Sequence, residues 1–97
     1  MAGKGRAGTH STVTEFAEPL VQRLEKLGRV SRGVIKANAR DAGRSIKILP
    51  LEGCLRITVI AKGSRQELHV YGVSVEAVAE ILREKEFRGY ILNLPEA

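Results

Sequence analysis

Two histidines, one cysteine and a set of cations at alternating positions are the residues of this chain that could do chemistry. His10 stands in His10-Ser11-Thr12, and His69 follows Glu67 by two residues, so imidazole nitrogen and a carboxylate are on offer to zinc or another divalent metal. No His-x-x-His, Cys-x-x-Cys or His-Glu-x-x-His spacing accompanies them. A metal site therefore needs His10 to be joined by His69 or Glu67 through the fold. Cys54 is the only cysteine, which excludes an internal disulfide and a structural zinc site built mainly from thiolates. As a nucleophile it would need a base such as His69 within about 3 Å. The strand register derived next separates the two by about 13 Å. With no Walker-type or dinucleotide glycine loop either, the expectation is a protein that is not an enzyme.

The second chemistry lies in residues 55–71. Gly63-Ser64 reads as a two-residue hairpin turn with Gly at its first central position, as a type II′ turn requires, so Lys62 pairs with Arg65. Val59 then opposes Leu68 and Ile57 opposes Val70 on a core face, while Thr58 opposes His69 and Arg56 opposes Tyr71 on a polar one. Ile46 and Ile48 must also face inward, and the connection at 50–53 sets Ile46 opposite Ile57, Ile48 opposite Leu55 and Lys47 opposite Arg56. The preceding strand, laid beside this one, brings Lys36 next to Lys47. One outward row reads Lys36, Lys47, Arg56, Tyr71, and the next Asn38, Ser45, Thr58, His69.

Like charges directly opposite destabilise a sheet, within the roughly 0.2 to 1 kcal/mol range of cross-strand pairs. Phosphate oxygens account for such a row, since adjacent cations neutralise a nucleic-acid backbone while the Tyr71 ring stacks on a base. Arg29, Arg32, Arg40 and Arg44 add charge toward the rims, and RNA or another nucleic acid is the expected partner. The competing explanation is a solvated basic face whose cations guard against edge pairing. No RNP-type aromatic pair, KH-type glycine loop or helix-turn-helix is visible. Val34, Leu49 and Cys54 form a further outward row, which raises a third reading: a protein-interaction module, or a homodimer joined at a sheet edge.

The whole chain has 97 residues, and 16 Lys plus Arg against 11 Asp plus Glu give +5 at neutral pH. That length suits one domain with one core. The acidic residues gather in the helical segments and leave the strands basic. No apolar run approaches the roughly 18 residues of a membrane span, and the first residues lack the apolar stretch of a signal peptide. A cytoplasmic protein without membrane contact is expected.

The elements that must position these groups follow from periodicity and breakers. Residues 1–9 form a flexible basic tail, and 10–97 a single α+β domain. Thr12 and Glu15 make a capping box, with Phe16, Leu20, Leu24 and Leu27 on one helical face and Gly28 at its end. Pro19 is tolerated only near a first turn, so the regular helix can start as late as Glu18. Strands are predicted at 29–37, 44–49, 54–61 and 65–72, with a bulge at Gly33. Ser74 caps a second helix from Val75 to about Glu86, and Gly89 breaks it before a short terminal strand at 90–94. The order α-β-β-β-β-α implies an antiparallel meander sheet of four or five strands with two helices packed on one face.

From His10 onward the chain resembles a small prokaryotic family whose members are labelled predicted metal-binding proteins. The resemblance is carried by His10-Ser11-Thr12, by residues 30–35 with their Arg-Gly-Val-Ile ending, and by Ile60-Ala61-Lys62-Gly63-Ser64 running into Gln66-Glu67-Leu68, and it spans residues 9–73. It implies a metal ligand at His10. Members carry a second His shortly after the first, and Val13 stands at that place here.

Overall fold

The computed structural model describes residues 17–37, 43–61 and 63–95. The expected basic tail, the capping box and His10 all lie outside these residues, as does the 38–42 segment with Arg40. Helix α1, Glu18–Glu25, carries Pro19 in its first turn, where the missing N–H costs no hydrogen bond. It buries Leu20, Val21 and Leu24. Leu27, expected on the same stripe, is 50% exposed. It sits beyond the last helical turn, whose carbonyls accept from the backbone N–H of Leu27 and Gly28, so the helical period no longer sets its direction.

Six strand segments follow: β1 Arg29–Arg32, β2 Lys36–Ala37, β3 Ser45–Leu51, β4 Cys54–Ala61, β5 Ser64–Tyr71 and, after the second helix, β6 Ile91–Asn93. Helix α2, Val75–Leu82, is capped by Ser74, whose hydroxyl accepts from the Ala77 N–H at 3.2 Å. It is shorter than expected, because residues 85–87 wind as a 3₁₀ turn that buries Phe87. Gly89, at φ +92°, then releases the chain into β6.

The α+β class and the placement of both helices on one face hold. Leu20, Leu24, Val78, Ile81 and Leu82 from the helices share one buried cluster with Ile46, Ile48, Ile57, Val59, Leu68 and Val70 from the sheet. The side order differs from a simple meander. It runs β1-β5-β4-β3-β6, with β2 also on β5. The first strand therefore lies beside β5 and not beside β3, and the flank of β3 is taken by β6, the only parallel pairing among the described strands. Turn residues near Gly43 mark a change of direction without choosing the neighbour.

The β3–β4 connection is tighter than expected, and the β4–β5 ladder closes at Ala61 with Ser64 and not at Lys62 with Arg65. Ala61 pairs with Ser64 and Leu51 with Cys54, which leaves two residues between the paired ends of each hairpin, Gly63 in one and Glu52-Gly53 in the other. Gly63 and Gly53 occupy the second loop positions at φ +76° and +89°, a conformation that costs other residues dearly. Each ladder is consequently displaced by two residues from the expected register: Ile57 opposes Leu68, Thr58 opposes Glu67, Arg56 opposes His69, and Lys47 opposes Thr58. A displacement of two preserves the pleat, so every side chain stays on its expected face.

Across the helical layer, Arg23 and Glu84 pair through both guanidinium nitrogens, the Nη2 to Oε2 distance being 2.6 Å. The hydrogen bonds that Arg23 donates to the Glu84 carboxylate raise its guanidinium above the ordinary value, against a smaller opposing effect of burial. Arg32 at the sheet edge reaches Glu18 at 3.0 Å and Glu25 at 3.9 Å, tying β1 back to α1. Two of the chain's cations are thus spent on the helical side.

Candidate nucleic-acid interface

β3, β4 and β5 bury every second residue, and the partner positions form a second face on which none of the described helices packs. Four rows cross that face. Lys36, Arg65, Ile60, Ser45 and Ile91 make the first, and Glu67, Thr58, Lys47 and Asn93 the second. Ser31, His69, Arg56 and Leu49 make the third. Arg29 and Tyr71 pair in the fourth, which continues to Cys54 and Leu51. Rows lie about 6.7 Å apart, two residues of strand rise.

Lys36, Lys47, Arg56 and Tyr71 therefore share one surface, as expected, but not one row. Lys47 is flanked by Thr58 and Asn93, and Arg56 by His69 and Leu49. The three-cation row dissolves because the tighter β3–β4 turn slides Lys47 and Arg56 into different rows and because Lys36 belongs to the opposite edge. One direct like-charge pair remains on this face among the described residues, Lys36 with Arg65. Arg65 was not among the expected site residues. Its parity with Glu67, His69 and Tyr71 on one strand was the available signal.

Tyr71 is half-buried, with the Arg29 guanidinium 4.3 Å from its ring centroid. The cation covers one side of the ring, so any base must stack on the other. Arg44 is exposed but stands at the helical-side rim, 5.8 Å over Tyr90, a ring that packs against the core. It does not join the outward set.

The metal reading places His69 and Glu67 on the same face of β5, two residues apart. Among the described residues no group of three His, Cys, Asp or Glu side chains stands close enough to hold an ion, and His10 is not described. The tighter register also corrects the expected separation of Cys54 and His69. His69 opposes Arg56, two residues from Cys54, which makes the two diagonal neighbours at about 7 to 8 Å. That is nearer than about 13 Å and still beyond hydrogen-bond reach.

Comparison with known proteins found no matching family model, no matching curated protein and no matching solved structure. No described helix is long and apolar enough to cross a membrane. Function has to be argued from the face itself.

Proposed function

We propose that the outward face of the sheet binds single-stranded nucleic acid, RNA foremost, through phosphate contacts to Arg29, Lys36, Lys47, Arg56 and Arg65, with the free side of the Tyr71 ring stacking on a base. The observation that carries this reading is the excess of cations, unpaired among the described residues, on the outward layer. The outward strand positions hold those five cations against one carboxylate, Glu67. The helical side and its rim hold Glu18, Glu25, Glu76, Glu80, Glu84 and Glu86 against Arg23, Lys26, Arg32, Arg44, Arg83, Lys85 and Arg88, so charge there nearly cancels, in part through ion pairs. None of the five outward cations forms an ion pair with another described residue. A polyanion is thus attracted to the outward face and meets little net charge on the other.

The sheet also suits single strands better than duplex. No described helix projects from this face to enter a major groove, whereas a flat strand surface with an aromatic ring can take splayed bases. Fluorescence anisotropy with a labelled oligonucleotide tests the reading. Five phosphate contacts predict a slope of log affinity against log salt of about −3.5, so raising salt fourfold lowers affinity about 100-fold. Absence of binding at low salt, or a slope near zero, would overturn it.

A further inference from the structure

The edge strand changes face partway along its length, and the change has a chemical result. Val30 and Lys36 are an even number of residues apart, so a regular strand would point both the same way. Val30 packs against the core, yet Lys36 is exposed on the outward side. The reason lies in the ladder: Arg32 pairs with Leu68 and Lys36 with Arg65, four steps on the edge strand against three on β5. One extra residue is accommodated in the 33–35 segment, where the Gly33 N–H still donates to the Glu67 carbonyl at 2.7 Å. This is the bulge that Gly33 led one to expect. Without it Lys36 would turn toward the hydrophobic layer.

The bulge delivers a second cation directly across from Arg65, where Cβ atoms of paired residues stand about 4.5 to 5.5 Å apart. Next to the pair is a cavity of about 180 Å³ lined by Val34, Lys36, Arg65 and Glu67. A phosphate group, with five heavy atoms, fits in that space with room for water, which takes about 30 Å³ per molecule. Val34 is 80% exposed at its mouth, so the opening is accessible. Two opposed cations with no described ion-pair partner are unfavourable in the free protein, and a bound anion reverses that. Glu67 is the exception among the lining groups: its carboxylate repels a phosphate, which places the phosphate oxygens on the Lys36 and Arg65 side.

We propose that this bulge cavity is a phosphate-binding subsite in which Lys36 and Arg65 hold one phosphate group and Glu67 limits its affinity. It deepens the nucleic-acid reading, on which the identity of the phosphate as a phosphodiester rests. Free phosphate and nucleic acid share the chemistry, and two arms of one experiment distinguish them.

In the first arm the full chain is titrated with inorganic phosphate at constant ionic strength, and backbone amide shifts are followed by NMR. Saturable shifts are expected at Gly33, Val34, Lys36, Arg65 and Glu67. Lys36→Ala and Arg65→Ala should each weaken binding about five-fold or more, and Glu67→Gln should strengthen it. The amide spectrum itself reports that each variant is folded. In the second arm a labelled oligonucleotide is bound to the same proteins, and Lys36→Ala with Arg65→Ala should reduce the salt slope by about 1.4.

If phosphate gives no saturable shifts at these amides and the oligonucleotide is bound equally well by the double variant, the subsite is refuted and the nucleic-acid reading is reduced to the contacts of Arg29, Lys47, Arg56 and Tyr71. If phosphate saturates the cavity and no oligonucleotide binds, the subsite is supported and the nucleic-acid reading fails.

Discussion

Changing Lys47 and Arg56 together to glutamate is expected to lower affinity for a single-stranded oligonucleotide by about 100-fold at low salt and to cut the salt slope from about −3.5 to about −2. The two residues lie in adjacent rows at the middle of the outward face, Lys47 opposite Thr58 and Arg56 opposite His69. Each substitution removes one phosphate contact and adds a charge that repels the neighbouring phosphates. Both positions are on the side opposite the core, so the variant should keep its fold. The matched control reverses charge on the helical side at Arg83, whose ion-pair partner among the described residues is Glu80 at 3.4 Å, and should leave binding within about two-fold. Unchanged affinity in the double variant would remove the outward face as the binding surface.

Gly28→Ala should be the most damaging glycine-to-alanine substitution among the described residues. Gly28 joins α1 to β1 where the chain passes against the end of β5. A Cβ there would stand 2.2 Å from the Tyr71 carbonyl oxygen and 2.7 Å from a Val73 methyl carbon. The first contact is with backbone that is locked in the ladder by the Arg29 to Tyr71 pair, so the oxygen cannot retreat without opening the edge of the sheet. Overpacking ordinarily costs about 1 to 3 kcal/mol, and this clash belongs at or above the top of that range. For a domain of this size that lowers Tm by roughly 15 °C or more. Gly43→Ala is the control, since nothing lies within 4 Å of the Cβ it would acquire, and its Tm should stay close to that of the parent. Thermal unfolding followed by circular dichroism decides the matter; equal melting of the two variants would refute the close approach at Gly28.

The faces of the sheet were legible in the sequence because they depend only on parity. Leu55, Ile57 and Val59 alternate with Arg56 and Thr58, and a wrong choice would have exposed large apolar side chains at more than about 1 kcal/mol each. Rows demand more. Gly63 suits either central position of a two-residue loop, and the two choices differ by two residues of register while leaving every face unchanged. That ambiguity is why Thr58 was set beside His69 and is found beside Glu67, whereas Lys47 moves from Arg56 to Thr58 because the 50–53 connection closes as the two-residue loop Glu52-Gly53.

The partner of the first strand was not legible at all. Its alternation is broken by the Gly33 bulge, and the choice between β3 and β5 is made by packing far away in sequence, including the parallel docking of β6 on β3. Arg65 went unremarked for a related reason: its importance arises only when the bulge brings Lys36 opposite it. Pro19 and Ser74, by contrast, act through local backbone chemistry and marked the starts of both helices correctly.

The central claim is that one face of the sheet, and not the helical face, meets nucleic acid. Amide shift mapping of the full chain with a short unlabelled RNA oligonucleotide at low salt tests it most directly. The account predicts that the shifts concentrate at Arg29, Lys36, Lys47, Arg56, Arg65, His69 and Tyr71 and fade together as salt rises. Shifts confined to α1 and α2, or none while the protein remains folded, would contradict it.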